Sequence, residues 1–426
     1  MPTLGGNIVS GNRSARDEPA GRLLRHLLGD EGRRDPYPVY RRLHDLGPVA
    51  ALPDGNRYAA VVHGHDAVGQ ALRDDNLRVL DAAYLDRAGT RWREHPAVRT
   101  LQSSLFHASG AKLAYVRRLF GQAFGPTRVT ALEPMLDRIT GALLDRLAAL
   151  GANGTPVDFM AEFALRLPSD VIGELFGVPA SDRSWFPSRV AAFDAVIEVG
   201  QRPFREVRAA DAAAEELTAY FADLLATRRA DPGDDLVSAL ATTDTGLTEV
   251  ELLASLVIVF NAGFRTTTNL LGNGLRLLVD HPELLAALRE DHALAPAYVE
   301  EILRLEPAVH VATRYAVETT DIAGVSIPEG RPVVILTGAA NRDPRRFPDP
   351  DRFDPTRADN HHYSFSAGPH FCIGAALGRA ETGLALPRLL SRFPSLALAS
   401  PPGPRRHLVL RGYDRLELLL RKGLPG

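Results

Sequence analysis

Cysteine is nearly absent from this sequence, because its 426 residues include one, Cys372. A disulfide within the chain is therefore excluded, and so is a zinc or iron–sulfur site built from several cysteines. A lone cysteine is most often a small buried hydrophobic residue without a chemical role. Any role for Cys372 must therefore be argued from the residues around it.

Excess charge and long apolar runs are absent as well. The formal net charge is -3, which gives no general attraction to nucleic acid or to an anionic membrane. The most apolar run, residues 252–260, is too short to cross a membrane, and the polar residues 1–20 lack the apolar core of a signal peptide. These features predict a cytoplasmic protein that binds neither nucleic acid nor membrane.

Motifs for nucleotide cofactors are also missing. The sequence contains no P-loop, no glycine pattern of a dinucleotide site and no Gly-x-Ser-x-Gly elbow. The pairs His63/His65 and His361/His362 have no further metal ligands at a useful spacing, and we interpret them as surface or turn residues. The chain therefore has no recognisable flavin or nicotinamide site.

The hydrophobic pattern indicates a mostly helical chain. No linker divides the sequence and 45% of its residues are hydrophobic, so we expect a disordered tail over residues 1–20 and one domain over residues 21–426. Thr248 and Glu251 form a capping box at the start of a long helix, whose apolar character on nearly all sides is typical of burial inside a large domain. Further helices are predicted at residues 112–124, 143–150, 168–176, 209–229 and directly after Cys372.

Short strands flank the helical region. Residues 49–62 predict a hairpin, and residues 341–360 are too rich in proline, aspartate and arginine for helix or sheet. The remaining β segments are predicted at residues 311–317, 321–327 and 332–336 and in a C-terminal hairpin over residues 407–420. The predicted fold class is mostly α with a minor mixed β component.

The residues around Cys372 indicate a chemical role. A loop with Gly368 leads to the cysteine and a helix follows, so the sulfur lies at a helix N-terminus, where free N–H groups favour the thiolate. Gly368 and Gly374 let the backbone approach a flat ligand closely. Phe365 can pack beside the sulfur, and His370 can reach an acidic group at the ligand's edge.

This segment resembles the haem-binding loop of the cytochrome P450 family, whose pattern is Phe-Gly-x-Gly-x-His-x-Cys-x-Gly. One position departs from the pattern, because Ser366 stands where glycine is usual. In that family the cysteine is the axial thiolate ligand of the haem iron. The resemblance runs from about Pro36 to the C-terminus. It implies haem b as the cofactor, Cys372 as its metal ligand, and a triangular helical prism around the haem as the fold.

Three further residues resemble the family's structural scaffolding. Glu301 and Arg304 lie three apart and share a helix face. Taken alone, they would be an exposed salt bridge of little value. The family has a Glu-x-x-Arg pair here that is joined by an arginine of the later irregular stretch, which implies Arg352 as the third member. We assign the three a structural role.

Two arginines resemble the family's partners of the haem propionates. Arg314 and Arg117 carry guanidinium groups, which suit carboxylates geometrically. Arg117 belongs to a His-x-x-x-Arg pattern in which Leu113 replaces the histidine, so that contact is lost. Three other cations are either solvated or form a docking face for an acidic electron donor: Lys112, Arg118 and Arg379.

The predicted central helix has a weak point at residues 262–267. Glycine inside a helix costs about 1 kcal/mol relative to alanine, so Gly263 marks either function or close packing. In the family this is the oxygen-binding groove, where Ala262 and Gly263 leave room and Thr266 hydrogen-bonds the bound dioxygen. Arg265 stands where the family has Asp or Glu immediately before that threonine.

Arg265 permits three interpretations, because a buried and unpaired guanidinium is severely unfavourable. It has an acidic partner in the protein, and Thr266 with water still delivers protons. It binds a substrate carboxylate, as in the fatty-acid peroxygenase branch of the family, although that branch continues with proline. Or oxygen activation is lost, and the protein binds a ligand without turnover.

The resemblance implies a soluble bacterial haem-thiolate monooxygenase. Such an enzyme inserts one oxygen atom from O2 into a small, mostly apolar organic molecule, and the expected step is a hydroxylation or epoxidation that tailors a polyketide- or peptide-like antibiotic. The electron donors implied are a ferredoxin and its reductase. The substrate is free or carrier-protein-tethered, with or without a carboxylate. Two alternatives stay open: a haem-binding protein without turnover, and a peroxide-using variant that binds carboxylates.

Overall fold

The long apolar helix is the central element of the fold. In the computed structural model, which describes residues 19–200 and 203–420, this helix runs from Glu249 to Asp280. Its predicted capping box is confirmed: the Thr248 hydroxyl accepts from the N–H of Glu251, and the Glu251 carboxylate accepts from the N–H of Thr248. By length and composition it could cross a membrane, but 72% of its most apolar window is buried inside the protein. Such burial is typical of a core helix.

Most of the described chain is α-helical, which confirms the predicted fold class. The helices are α1 (Pro19–Leu28), α2 (Asp30–Arg34), α3 (Tyr37–His44), α4 (His65–Arg73), α5 (Ala82–Arg87), α6 (Pro96–Ser103), α7 (Gly110–Phe124), α8 (Pro126–Ala131), α9 (Glu133–Leu150), α10 (Arg166–Phe176), α11 (Phe186–Phe193), α12 (Phe204–Ala230), α13 (Leu236–Ala241), α14 (Glu249–Asp280), α15 (Pro282–Glu290), α16 (Ala295–Leu305), α17 (Thr337–Ala340) and α18 (Ala375–Arg392). The helices predicted before the central one are confirmed as α7, α9, α10 and α12, and each is longer than predicted. The helix predicted after Cys372 is α18.

The β component is small and mixed. Its strands are β1 (Val49–Ala51), β2 (Ala60–Val62), β3 (Leu77–Arg78), β4 (Val157–Asp158), β5 (Ala312–Ala316), β6 (Thr320–Ile322), β7 (Val325–Ile327), β8 (Pro332–Ile335), β9 (Ala397–Leu398) and β10 (Glu417–Leu419). One sheet has the order β1-β2-β8-β5-β3, in which the β2–β8 pairing is parallel and the others are antiparallel. The predicted hairpin over residues 49–62 is confirmed, with Val49 opposite Val62.

Two strand predictions are wrong in their pairing. Residues 321–327 are not one strand but belong to the hairpin β6–β7, which turns at Ala323 and Gly324, both at positive φ. Residues 407–420 are not a hairpin, because β10 pairs with β4 and β9 instead. Alternation along a sequence indicates a strand but does not identify its partner.

Two other expectations need correction. The first helix begins at Pro19, so the last two residues of the predicted tail are helical, while residues 1–18 lie outside the described residues. His63 and His65 are buried rather than surface residues. Burial, together with the neighbouring His44, lowers the pKa of His63 to about 3, so this ring is neutral at physiological pH.

The largest hydrophobic core surrounds α14 and places the cysteine loop beside it. α14 packs against α10, α12, α16 and α18. A Cβ added at Gly378 of α18 would lie 3.8 Å from Oγ1 of Thr267 on α14. The two helices are therefore in contact at the residue that follows Thr266. The irregular residues 341–360 contain turns but neither helix nor strand, as predicted, and they connect α17 to the loop that carries Cys372.

Candidate active site

The cysteine loop holds its sulfur at the start of α18. The N–H of Cys372 donates to the carbonyl of Phe365 at 2.9 Å, and Gly374 is the residue before the first turn of α18. Cys372 is exposed, which rules out the interpretation of a small core residue. A Cβ at Gly374 would lie 3.9 Å from the sulfur, an ordinary van der Waals contact, so Gly374 lies beside the sulfur but a small side chain would also fit there.

Desolvation has the largest effect on the pKa of the Cys372 thiol and outweighs the groups that favour the thiolate. Although the sulfur has accessible surface, the protein around it raises the pKa of the Cys372 thiol by desolvation, while the N–H of Gly374 and the cations Arg117 and Arg379 lower it. A metal cation is the kind of ligand that holds a thiol deprotonated against such burial. The donor set therefore fits thiolate ligation of a metal better than it fits a free thiol.

The departure at Ser366 has a structural consequence. Ser366 has φ 63 and Gly368 has φ 64, so both lie in the left-handed region that favours glycine. A Cβ at Gly368 would also lie 2.6 Å from the carbonyl oxygen of Leu72. Gly368 is thus required by the backbone, whereas Ser366 keeps the same turn at a conformational cost.

A group of basic side chains lies near the same loop without a paired carboxylate in the described part of the chain: Arg314 is buried, and Arg117, His107 and His370 are partly buried. The Arg314 guanidinium donates to the carbonyl of its own neighbour Thr313 at 2.9 Å. Burial lowers the pKa of Arg314 to about 10. Burial, followed by the nearby Arg314, His107 and Arg117, lowers the pKa of His370 to about 4. Among the described residues no carboxylate forms an ion pair with Arg314 or Arg117, so the group fits an anionic ligand.

His107 belongs to this group and was not predicted from the sequence. Its Nδ1 lies 3.0 Å from the carbonyl oxygen of Leu101, and burial together with the nearby Arg314 lowers the pKa of His107 to about 4. Leu113, which replaces the family's histidine, is buried in the core. His107 therefore brings an imidazole to the basic group from the segment that precedes α7. No local pattern around this single histidine indicates its position.

The central helix is open to the site at one turn. Asn261, Phe264 and Thr267 are buried, whereas Ala262 is exposed and Thr266 is partly exposed. Ala262 and Thr266 are four residues apart and share a face, and the Thr266 hydroxyl donates to the carbonyl of Ala262 at 2.8 Å. This opening in an otherwise buried helix lies where a groove was predicted.

Gly263 has a packing role that differs from the expected one. A Cβ at this position would lie 2.9 Å from Cδ1 of Ile172 on α10. The missing side chain therefore lets α10 approach α14 and does not itself enlarge the groove. Of the two explanations for the weak point in the helix, close packing accounts for Gly263.

Arg265 is paired within the protein. Its Nε lies 2.6 Å from Oδ2 of Asp194, which follows α11, and the two side chains are 10% and 1% exposed. Burial raises the pKa of Asp194 to about 6, against the opposing effects of Arg265 and Arg405, so the carboxylate is charged at neutral pH. The structure therefore favours the first of the three interpretations.

Glu381 of α18 is a buried acid next to the groove that the sequence analysis did not single out. Burial raises the pKa of Glu381 to about 8, although the Thr267 hydroxyl donates a hydrogen bond to it. The carboxyl is therefore mostly neutral at physiological pH. Glu381 lies four residues after Leu377 and four before Ala385, on the buried face of α18. This helical spacing in the sequence would have predicted an acid in the core.

The predicted Glu301–Arg304 pair is a buried structural centre. Both side chains are fully buried, and two guanidinium nitrogens of Arg304 donate to the two carboxylate oxygens of Glu301 at 2.7 and 2.8 Å. Arg304 also donates to the carbonyls of Asn341 and Pro350. It therefore ties α16 to the irregular stretch before the cysteine loop.

The third member of this centre is Arg357, and the prediction of Arg352 is wrong. Arg357 Nε lies 3.1 Å from the Glu301 carboxylate, and its other nitrogens donate to the carbonyls of Pro348 and Asp349. Arg352 contributes its carbonyl oxygen, which accepts from both arginines, while its side chain is exposed. The N–H of Arg352 donates to the carbonyl of Asp349 at 3.0 Å, so Arg352 lies in a turn and meets the buried centre through its backbone rather than its side chain.

The proposed docking cations are only partly available to an acidic partner. Arg379 is paired with Glu300 at 2.6 Å, and its guanidinium also lies 4.5 Å from the ring centroid of Phe365. Lys112 is paired with Glu251. Arg118 is exposed, and no residue that the structure describes forms an ion pair with it. It is therefore the most accessible of the three.

These residues fit a haem as a set. The sulfur of Cys372 would hold the iron, the basic group around Arg314 would accommodate carboxylates, and the open turn at Ala262 and Thr266 lies on the adjacent helix. In thiolate-ligated haem proteins the cysteine donates electron density that favours O–O bond cleavage. Oxygen chemistry on an organic substrate is what such an arrangement can support.

Comparison with known proteins agrees with this geometry. The family model described as Cytochrome P450 matches residues 19–407. The chain is 36% identical over 411 residues to the cytochrome P450 monooxygenase PikC of Streptomyces venezuelae, covering 93% of this chain and 94% of that protein. It is also 36% identical over 412 residues to 6-deoxyerythronolide B hydroxylase of Saccharopolyspora erythraea, covering 92% and 98%.

A solved structure shows the same fold. P450BioI in complex with acyl carrier protein carrying hexadec-9Z-enoic acid has a TM-score of 0.84 and 31% identity, covering 91% of this chain and 99% of that chain. The helix-rich architecture and the family match therefore agree along nearly the whole described chain. The protein belongs to the cytochrome P450 family and is a haem-thiolate monooxygenase.

Proposed function

We propose that this monooxygenase tailors a bacterial secondary metabolite by hydroxylating or epoxidising a small, mostly apolar, polyketide- or peptide-like molecule. The observation that carries the proposal is the open turn of α14 at Ala262 and Thr266 beside the Cys372 loop. Relatives that cover more than nine-tenths of this chain include an enzyme named 6-deoxyerythronolide B hydroxylase. Similarity of this extent supports the same class of reaction.

The residues around the cofactor have separate tasks. Cys372 would hold the iron of haem b, and Arg314, Arg117, His370 and His107 would bind its carboxylates. The haem supplies the oxygen chemistry, and the protein supplies orientation and electrostatics. Phe365 and Gly368 would shape the loop beneath the ring, and Gly374 would lie beside the sulfur.

Thr266 would move a proton at the groove. Its hydroxyl donates to the Ala262 carbonyl, and rotation about χ1 would redirect the same proton toward a ligand in the groove. Arg265 is paired with Asp194 and would take no part in this proton transfer, which would use Thr266 and water. This assignment follows the first interpretation of Arg265 and makes Thr266 the catalytic residue.

The electron donors proposed are a ferredoxin and its reductase, with a cytoplasmic location. The exposed Arg118 and the exposed ring of Phe371, which precedes Cys372, would lie in the docking face. A substrate tethered to a carrier protein is a second possibility for delivery, because the structural neighbour P450BioI was solved with a loaded acyl carrier protein. Free and tethered forms of one substrate would distinguish the two routes.

The first test is the absorption spectrum of the reduced protein with carbon monoxide. A strongly red-shifted Soret band is expected, because thiolate ligation through Cys372 changes the electronic structure of the haem. A band typical of histidine or neutral thiol ligation would contradict the assignment of Cys372. Cys372→Ser serves as the matched control and should lose the shifted band.

The second test separates turnover from ligand binding. The protein would be supplied with a surrogate ferredoxin, its reductase, NADPH and 18O2, with 6-deoxyerythronolide B as the probe macrolactone. One 18O atom in an organic product would establish monooxygenation, and Thr266→Ala should lower the product formed per NADPH consumed. Product from hydrogen peroxide but not from O2 would favour the peroxide-using alternative, and tight spectral binding without product would favour a binding protein.

A further inference from the structure

The Arg265–Asp194 pair connects two elements that are distant in the sequence. Arg265 lies in the middle of α14, immediately before Thr266, and Asp194 lies in the 3-10 turn that follows α11. The distance of 2.6 Å joins two side chains that are almost completely buried. An ion pair in such surroundings persists because separating it would leave an uncompensated charge in the interior.

The neighbouring charged groups already have their own partners. Arg405 Nε lies 2.5 Å from Asp414, and another nitrogen of Arg405 donates to Asn269. Glu198 accepts from Arg33 at 2.7 Å and also from the backbone N–H of Leu408 and Val409. Asp194 is therefore the carboxylate that neutralises Arg265.

The position of Arg265 gives this pairing a consequence for ligands. Arg265 follows Ala262 by three residues, so the two belong to one face of α14, and Ala262 is exposed to the groove. A guanidinium at this point would attract a carboxylate if it were unpaired, because the two match in charge and in bidentate geometry. Asp194 occupies the place of such a carboxylate.

We propose that Asp194 determines substrate specificity by serving as the internal counter-anion of Arg265, so that a substrate carboxylate gains nothing from the guanidinium. The inference rests on the proposed function, since it takes the groove along α14 to be the substrate site. It assigns a neutral molecule, or one whose acid group lies away from α14, as the substrate. Removing the charge of Asp194 should convert Arg265 into a carboxylate-binding residue.

A matched pair of ligands tests this directly. The probes are 10-(imidazol-1-yl)decanoic acid and its methyl ester, in which the imidazole binds the haem iron and the flexible chain extends into the pocket. The quantity measured is the ratio of the two dissociation constants, ester over acid, from the shift of the Soret band. In Asp194→Asn this ratio should rise at least about tenfold over wild type, the size of one charge-assisted hydrogen bond.

Two further variants locate the effect. The double variant Asp194→Asn/Arg265→Gln should return the ratio to within twofold of wild type, because the guanidinium is gone. Asp145→Asn removes a carboxylate that is 78% exposed and paired with Arg392, and it should leave the ratio unchanged. An effect of equal size in Asp145→Asn would indicate a general change of charge and would overturn the proposal.

The proposal about Asp194 can still be tested if the single variant Asp194→Asn does not retain haem. In that case the double variant Asp194→Asn/Arg265→Gln, which leaves neither charge unpaired, is compared with wild type, and the ratio should stay within twofold because Asp194 already neutralises the guanidinium. A tenfold fall would show that ligand carboxylates reach Arg265 in the native protein and would overturn the proposal, as would an unchanged ratio in a folded Asp194→Asn. These binding measurements do not depend on turnover, so failure of oxygenation is recognised separately.

Discussion

The guanidinium of Arg357 lies 3.1 Å from the carboxylate of Glu301, in a centre where Glu301 and Arg304 are both fully buried. Glu301 also accepts from the backbone N–H of Asp354 and the side chain of Asn360. Its carboxylate is thus surrounded by donors from α16 and from the irregular stretch. The stretch has no helix or strand of its own and is held to the rest of the protein through this carboxylate.

Arg357→Ala should therefore destabilise the protein far more than Arg352→Ala. Loss of Arg357 removes bonds to Glu301 and to two carbonyls. Because Arg304 still neutralises Glu301, the expected cost is that of a hydrogen bond to a charged group, about 1.5–3 kcal/mol. Arg352 has an exposed side chain, and its replacement should change the free energy of unfolding by less than about 0.5 kcal/mol. Urea unfolding followed by circular dichroism measures both, and equal losses would restore Arg352 as the third member.

Ser366→Gly should stabilise the cysteine loop. A residue with a Cβ at φ 63 is strained by about 1–2 kcal/mol. Glycine removes this strain but loses more backbone entropy on folding, so a net gain in stability of about 0.5–1 kcal/mol is expected. Gly368→Ala, at φ 64, is the opposite substitution and should be destabilising because its Cβ also meets Leu72. Thermal unfolding of the two variants compares them, and a destabilised Ser366→Gly would mean that the serine hydroxyl has an unrecognised role.

Glu381→Gln should remove a pH dependence of stability. Burial raises the folded-state pKa of Glu381 from 4.5 to about 8, so its contribution to stability is fully present below pH 4.5 and is lost as pH rises toward 8. Between these values the unfolded carboxyl ionises and the folded one does not. The advantage of Glu381→Gln over wild type should grow by about 1.4 kcal/mol per pH unit across this window.

Unfolding in denaturant at pH 5, 6, 7 and 8 measures this difference for Glu381. The exposed Glu133 at the start of α9 provides the control substitution Glu133→Gln, which should show no such trend. A constant difference between Glu381→Gln and wild type from pH 5 to 8 would mean that Glu381 is ionised in the folded protein.

His107→Ala should accelerate loss of haem by about tenfold, if its imidazole contributes one hydrogen bond to a charged carboxylate. The rate is measured by transfer of haem to excess apomyoglobin. His292 is remote and bonded to Ser391, so His292→Ala is the matched control and should leave the rate unchanged. Equal rates for wild type and His107→Ala would leave Arg314, Arg117 and His370 as the carboxylate partners.

Local chemistry was sufficient to identify the central features from the sequence. The capping box at Thr248 and Glu251 and the loop around Cys372 are encoded within a few consecutive residues, so their geometry follows from neighbours along the chain. The Glu301–Arg304 pair is local as well, because three residues apart on a helix means contact. These short-range patterns were sufficient to predict the fold class and, through the resemblance they carry, the family.

The partners of the buried charges were decided only by the tertiary structure. Asp194 for Arg265, Arg357 for Glu301 and His107 for the basic group all come from elements distant in sequence, and several residues in each neighbourhood had the required charge. The sequence alone showed that Arg265 needed a counter-ion, because an unpaired buried guanidinium is too unfavourable to persist. Which carboxylate it would be depended on how α11 packs against α14, and no periodicity within either helix carries that information.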